Sequence, residues 1–380
     1  MSNRNKIIRN TLYCYMPVVI AFALIRMLSA FGLFNFLGTT ANYILSIVIQ
    51  IGLLFCLSTF VFAKANKSNL KTTFSFLKFK KINWKAILLS VVIGLVVYVL
   101  NVMITTFFNA FLSVLGYQFS SGGTMTEYPI WLLFVNILMT AILPGICEET
   151  AHRGMLLNGF SAMGQKKALI LSSLLFGLLH LNIEQFFYAT LIGLLVGYIT
   201  CITNSIYPAM IIHFMNNFTS VLMGYSSFHK LGLEFGFNYL NTLISTNALL
   251  GMFVMVILII LFLFVLKLLV KLLFRCTTYK QMAELERVIV NQLEKEKYMR
   301  ELAQATEGKE SEEKESFSEA DFERIYKQHN EKFFKSDDLE KQITTDAQPF
   351  KFDKVTKIML ITTFAIVSIL TLFTFIWGVI

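Results

Sequence analysis

Acidic residues are scarce in the first 280 residues of the chain, and two of them stand side by side in an apolar stretch. Glu148 and Glu149 are adjacent, with His152 and Arg153 one helical turn later. A carboxylate inside a membrane is costly unless it is paired, protonated or facing water, so such residues are functional candidates. Residues four apart meet on a helix surface, which allows Glu148–His152 and Glu149–Arg153 pairs. An arginine partner would keep one carboxylate ionised and leave the other free to exchange a proton.

Two more polar motifs, SSLLFGLLH and HFMNN, interrupt neighbouring apolar stretches. His180 shares a helix face with Phe176, and His213 shares one with Asn217. Alone, either motif is typical of a hydrogen bond between membrane helices. Together with the acids, they supply what peptide hydrolysis needs: a base that deprotonates water, an orienting partner and donors for the tetrahedral oxygen anion.

The predicted depth of these motifs in the membrane is similar. With a rise of about 1.5 Å per residue, Glu148, His180 and Asn217 each lie about 20 Å from the cytoplasmic turn at one end of their own helix. The hydrocarbon core is about 30 Å thick. This estimate requires one continuous helix through Pro144 to about Ser161. Three helices would then present acid, base and donor groups at one level.

Composition indicates the elements that position these groups. The chain has 380 residues, 56% of them hydrophobic and only 15% charged, and its mean hydropathy is +0.63. Long apolar runs of this kind are membrane-span candidates. We predict an all-α, polytopic membrane protein with about 8–9 transmembrane helices around a buried polar site. The predicted spans are 11–34, 41–63, 86–113, 129–162, 168–184, 186–203, 207–225, 244–273 and 355–379.

The distribution of lysine and arginine predicts the orientation. Residues 64–85 hold seven lysines and no acid, and the alternate loops hold only Lys230. By the positive-inside rule the amino terminus and the segment 276–350 are cytoplasmic, in a multi-pass protein of the cell membrane. The net charge of +9 therefore reflects topology and attraction to the lipid bilayer, and we expect no nucleic-acid partner. The five scattered cysteines give neither a disulfide framework nor a metal spacing.

Five parts of the chain follow from these patterns. Residues 281–305 are predicted to form a helix and 306–320 a flexible linker; the charged segment is either a solvated cytosolic loop or a docking element. The first 128 residues add spans without diagnostic chemistry. The predicted parts are N-terminal transmembrane helices (1–128), a catalytic core (129–225), a further transmembrane helix (226–275), a charged cytoplasmic segment (276–350) and a C-terminal transmembrane helix (351–380).

The motifs EExxxR, FxxxH preceded by two serines, and SIYPAMIIHFMNN resemble those of the CPBP membrane proteins. That family includes type II CAAX prenyl endopeptidases and bacterial bacteriocin-processing or self-immunity proteins. The resemblance covers roughly 130–222 and leaves 276–380 as an appendage. It implies a bacterial, glutamate-dependent intramembrane endopeptidase that acts on a peptide or a membrane-protein segment.

The resemblance also implies roles for particular residues. One position departs from the family pattern, because the residue before the motif arginine is usually apolar or aromatic and here is His152. It could be a local hydrogen-bonding partner of Glu148, or it could alter the proton balance of the site. The implied roles are a catalytic glutamate (Glu148), a histidine that helps activate water (His180), groups that stabilise the oxyanion (His213 and Asn217) and two remaining motif positions (Glu149 and Arg153).

Three alternatives remain open at this point. Two histidines and a glutamate can hold zinc with one position open to water, although the sequence lacks the HExxH spacing, so we favour a site without a cofactor. A transporter or a proton-coupled channel would also place glutamate and histidine in its spans, but no inverted repeat is evident. A non-catalytic membrane scaffold could use the same pocket to bind partners.

Overall fold

A computed structural model describes residues 3–30, 39–119, 126–306 and 351–379 of the chain, and every regular element in these ranges is helical. We number the helices in chain order. They are α1 (Asn3–Ala30), α2 (39–65), α3 (Leu70–Phe76), α4 (Trp84–Val114), α5 (Ile130–Met163), α6 (Gln165–Leu179), α7 (Ile183–Thr203), α8 (Tyr207–His229), α9 (Phe235–Thr246), α10 (Ala248–Thr306) and α11 (Lys354–Val379).

Asparagines mark several helix boundaries. The Asn83 side chain accepts from the Ala86 N–H at 2.7 Å and begins α4, and Asn182 accepts from the Glu184 N–H at 2.9 Å and begins α7. Both satisfy amides that have no partner inside their helix. Asn204 ends α7 in the left-handed conformation with φ of 50°, which asparagine tolerates better than most residues. These local signals set where α4 and α7 start and where α7 stops.

Seven of the described helices are long and apolar enough to cross a membrane. This confirms the prediction of an all-α, polytopic membrane protein. The candidate spans are Arg4–Leu28, Tyr43–Ala65, Trp84–Val114, Ile130–Met163, Ile183–Thr203, Ala248–Thr277 and Lys354–Trp377.

A helix occurs at all nine predicted spans, but α6 and α8 are not both long enough and apolar enough to be candidate membrane spans. α6 has 15 residues, and at about 1.5 Å per residue it is too short for a hydrocarbon core of about 30 Å. α8 has 23 residues, but its polar side chains lower its hydropathy. The span predicted as 168–184 ends at Leu179, and Glu184 lies in the first turn of α7.

The helix α5 runs without a break through Pro144, as the depth estimate required. Its hydrogen bonding changes along its length, because α-helical stretches alternate with wider π-helical turns at Ile137–Ile142 and Thr150–Leu156. Proline lacks an N–H and crowds the carbonyl four residues earlier, and the first π-helical stretch lies directly before it. The second contains the HRG part of the EETAHRG motif, and π turns are frequent at functional sites.

Two clusters of buried apolar side chains hold the helices together. One cluster of buried apolar side chains joins α1, α2, α5, α6 and α11, and the other joins α4, α7, α8 and α10. The helix α8 approaches α4 and α5 closely at two glycines. A Cβ added to Gly94 would overlap Met215, and one added to Gly145 would lie 3.3 Å from the Met210 carbonyl oxygen. Small residues of this kind allow helix backbones to come together in a membrane.

Residues 276–380, the predicted appendage, are joined to the membrane helices in two ways. One part packs against them, and another continues one of them. α11 lies against α1 and α6, with Met359 and Val367 in the first buried cluster. The Thr374 hydroxyl accepts from the Ile183 N–H at 3.1 Å, which ties α11 to the start of α7. α10 continues unbroken from its membrane part to Thr306, so the predicted helix 281–305 is present. The linker predicted at 306–320 lies, except for its first residue, outside the described residues.

Candidate active site

A closed ionic cluster lies at the junction of α5 and α8. The Nη1 atom of Arg153 donates to Oε1 of Glu149 at 2.9 Å, as the spacing predicted. The Nδ1 atom of His213 lies 2.7 Å from the same oxygen. Glu149 is fully buried, and Arg153 and His213 are only 2% and 6% exposed. Because buried charges are stable only when paired, this cluster holds α5 and α8 together.

Glu148 lies in a different environment although it is the next residue. Its carboxylate oxygen Oε1 accepts from the side-chain amide of Gln50 at 3.0 Å, and the residue is half-buried. Gln50 belongs to the π-helical stretch Val48–Val61 of α2. The paired acids of the motif therefore have separate partners on separate helices.

His152 bonds the Glu148 backbone and not its carboxylate, which corrects the expectation of a side-chain pair. Its Nδ1 atom donates to the Glu148 carbonyl at 2.7 Å. In a neutral ring Nε2 then accepts from the Tyr15 hydroxyl, which is 3.0 Å away. His152 and Tyr15 are both fully buried. The residue that departs from the family pattern thus docks α1 against α5.

The ring of Phe176 lies at the centre of the polar groups. It makes edge contacts with His152, His180 and His213, with ring centroids 5.0, 5.2 and 5.8 Å away. The guanidinium carbon of Arg153 lies 4.2 Å from the ring centroid, a cation–π distance. One aromatic side chain on α6 therefore connects the motifs of α5, α6 and α8.

His180 is half-buried and is the first residue after α6. Its Nδ1 atom donates to the Phe176 carbonyl at 2.9 Å, which leaves the lone pair of a neutral ring on Nε2. A histidine with this tautomer can accept a proton or orient a water molecule. Leu181, with φ of 49°, turns the chain directly afterwards toward α7.

Asn217 is joined to α5 through the interruption at Pro144. Its Nδ2 atom donates to the Thr140 carbonyl at 2.8 Å. This is the carbonyl that an N–H at position 144 would have used in a regular α-helix, and proline has none. The Asn217 amide has two N–H groups, so one remains for another acceptor.

A chain of side chains fixes the orientation of that amide. Asn216 donates to the Asn217 oxygen at 2.8 Å, and Asn101 of α4 donates to the Asn216 oxygen at 3.3 Å. Thr105 donates in turn to Asn101 at 3.2 Å. Because the oxygen of Asn217 is already bonded, its nitrogen is the group directed toward α5.

The six candidate residues divide by exposure. Glu149, Arg153 and His213 are buried and bonded to one another. The other three, Glu148, His180 and Asn217, are half-buried. Groups that meet a substrate and water must be reachable, so the second set is the one with access.

Three residues of the first 128, the part expected to add spans without diagnostic chemistry, bond to residues of this site or support them. Gln50 bonds Glu148 and Tyr15 bonds His152. Asn101 supports the amides of α8 from α4. Each is a polar side chain inside a predicted span, and such residues often bond to neighbouring helices. That signal was available in the sequence, but their partners were not.

An apolar groove follows the seam between α5 and α8. Its volume is about 360 Å³. None of the six candidate residues lines it, but Ile146 is two residues from Glu148 and Met210 is three from His213. The lining residues are Phe79, Ile142, Gly145, Ile146, Tyr207, Met210, Ile211 and Phe214.

The fit of the site to zinc is poor. A zinc site needs three or four nitrogen, oxygen or sulfur ligands that converge on one point. Over the described ranges, no three histidine, cysteine, aspartate or glutamate side chains are grouped so that they could hold a metal ion.

This helical membrane protein carries glutamates, histidines and an asparagine on neighbouring helices, which are the kinds of side chain that peptide hydrolysis uses. Residues 129–219 match the model of a family described as type II CAAX prenyl endopeptidase Rce1-like. For this part of the chain the match confirms the CPBP family predicted from the motifs. No curated protein and no solved structure matches the chain.

Proposed function

We propose that this protein is an intramembrane endopeptidase in which Glu148 activates water for hydrolysis of a peptide bond. The observation that carries the proposal is the contrast between the two acids. Glu149 is fully buried and paired with Arg153, whereas Glu148 is half-buried and bonded to a neutral amide. A general base must reach water and must be able to gain and lose a proton.

In the proposed reaction Glu148 takes a proton from water as the water oxygen bonds to the peptide carbonyl carbon. The electron pair of the carbonyl double bond moves to oxygen and forms the tetrahedral anion. When the C–N bond breaks, Glu148 returns the proton to the leaving amine. His180 orients the water through Nε2, because its Nδ1 atom is held by the Phe176 carbonyl.

Donors for the oxygen anion come from α8 in this proposal. Asn217 has one N–H beyond the bond to Thr140, and a neutral amide needs no change of protonation to donate. His213 can donate from Nε2 only when its ring carries both protons, since Nδ1 faces the Glu149 carboxylate. In that state Glu149 contacts both cations, and the cluster keeps one net positive charge.

The substrate in this proposal is a peptide or a membrane-protein segment that reaches the site from the bilayer. The apolar groove beside the site supports a hydrophobic occupant, and its lining residue Phe79 lies between lysines at positions 78 and 80. A bacteriocin precursor or a signal peptide would be a substrate of this kind. The biological role would then be processing of that peptide or self-immunity. We further propose that the protein lies in a bacterial cell membrane, with its amino terminus and residues 276–350 on the cytoplasmic side.

Comparison of wild type with Glu148→Gln tests the function. Peptides from membranes of cells that carry either protein are identified by mass spectrometry, and those that only the wild type releases are remade as quenched fluorescent peptides. We expect the variant to insert and fold but to cleave none of them. Glu184→Gln is the matched control, since Glu184 bonds Tyr117 at the start of α7, outside the cluster.

Two outcomes bear on the proposal. Cleavage by Glu148→Gln at the wild-type rate would remove Glu148 from the mechanism and with it the proposed reaction. Cleavage of a farnesylated peptide but not of its unmodified form would add a lipid to the substrate class. Equal cleavage of the two forms would show that lipidation is not required.

A further inference from the structure

Gln50 is a polar side chain in one of the most apolar stretches of the described chain. It lies in the segment Val48–Val61 of α2, whose neighbours Val48 and Ile51 are exposed on the outer surface. Gln50 is instead half-buried and donates to Glu148 across 98 positions of sequence. It also lies outside residues 129–219, the part that matches the family model.

The hydrogen bond from Gln50 fixes one oxygen of the Glu148 carboxylate. Nε2 of Gln50 lies 3.0 Å from Oε1 of Glu148, a normal hydrogen-bond length. Within the part of the chain that the structure describes, Oε2 of Glu148 has no hydrogen bond. A long side chain held at one oxygen loses rotational freedom, and its other oxygen is presented in one direction.

In the described part of the chain, the Gln50 side chain forms one hydrogen bond, the one to Glu148. The Oε1 atom of Gln50 is buried, and no hydrogen-bond partner occurs among the described residues. A buried acceptor without a partner costs about 1–3 kcal/mol. Over the ranges that the structure describes, the bond to Glu148 is therefore the contact that distinguishes glutamine from an apolar side chain at this position.

We propose that Gln50 is a positioning residue that holds Glu148 so that its free oxygen takes the proton from water. This inference rests on the proposed function. It extends the site to α2, which supplies no residue to the family motifs. Because Gln50 acts through Glu148, its removal lowers the rate of the chemical step more than it weakens substrate binding.

Gln50→Met tests this proposal because methionine has a similar length but no amide. In the quenched-peptide assay we expect kcat to fall at least about tenfold with KM nearly unchanged. We expect the thermal unfolding midpoint in detergent to stay equal or rise, since the unpaired buried acceptor is removed. Gln50→Glu keeps the shape but replaces the donor with an acceptor, so its kcat should fall further.

Tyr43→Phe is the matched control on the same helix. The Tyr43 hydroxyl donates to Asn136 at 3.4 Å, and it too joins α2 to α5. Asn136 lies twelve residues before Glu148, which is about 18 Å along a helix. Loss of this bond should leave kcat and KM unchanged.

The results separate failure of this inference from failure of the proposed function. Wild-type kcat in Gln50→Met, with Glu148→Gln inactive, would overturn the positioning role and leave the function intact. A lower unfolding midpoint in Gln50→Met, with activity lost in proportion to folded protein, would make Gln50 a structural residue. Activity in Glu148→Gln would overturn both proposals.

Discussion

Two adjacent residues of one helix, Glu148 and Glu149, lie in opposite environments. Glu149 faces α8 and is fully buried, and its Oε1 atom is bonded to both Arg153 and His213. Glu148 faces α2, is half-buried, and bonds a neutral amide. Adjacent positions on a helix point about 100° apart, so one acid can stabilise the fold while the next remains available for chemistry. The predictions below test this division.

Loss of Arg153 should have the largest effect on stability. Arg153→Met leaves the buried Glu149 carboxylate with only His213, and breaking a buried pair typically costs about 3–5 kcal/mol. We expect a large fall in the yield of folded protein and in the thermal unfolding midpoint in mild detergent. The double variant Arg153→Met, Glu149→Met should recover much of this loss, because no unpaired charge remains. A wild-type midpoint in the single variant would mean that the cluster is not structural.

Asn217→Ala should instead lower the reaction rate. Removal of one donor to an oxygen anion typically raises the barrier by about 2.7–4 kcal/mol, a loss of about 100–1000-fold in kcat. Peptide cleavage measures the rate per folded protein. The variant should still fold and insert, and the fall in kcat should exceed any loss of stability from the missing bonds to Thr140 and Asn216. Thr219→Val is the control on α8, since the Thr219 hydroxyl bonds only within its own helix. Near-normal turnover in Asn217→Ala would remove Asn217 from the mechanism.

Tyr15→Phe should have a smaller effect, and it should lower stability rather than the reaction rate. The change leaves Nε2 of His152 without its hydroxyl partner in a fully buried position, at a cost of about 1–3 kcal/mol. We expect a lower unfolding midpoint and a kcat within a few fold of wild type. Tyr13→Phe, at a residue that is 55% exposed, is the control. Loss of cleavage without loss of stability would place His152 among the reacting groups.

Chelation should have no effect. The proposed mechanism uses only side chains and water, so purified enzyme incubated with a strong zinc chelator should cleave the peptides at its original rate. The same treatment of a known zinc peptidase confirms that the chelator works. A loss of activity that added zinc restores would favour the metal-dependent alternative.

The sequence predicted the helices more completely than their roles. Apolar runs and asparagine caps are local signals, so all nine predicted spans contain a helix, although α6 is too short and α8 too polar to count as spans. The Glu149–Arg153 pair was predictable because both residues lie on one helix. The expected pairing of the Glu148 and His152 side chains was wrong, because both ring nitrogens of His152 have other partners. Nδ1 bonds to the Glu148 backbone carbonyl, and Nε2 bonds to the hydroxyl of Tyr15 on another helix.

By itself, the sequence determined an all-α membrane architecture and the six polar candidates, since helical periodicity and hydropathy operate over a few residues. Only the tertiary structure decided which acid is enclosed and which is reachable. It also brought Gln50 and Tyr15 to the motif from more than 90 residues away. Such contacts depend on how helices pack, and no fixed spacing in the chain encodes that packing.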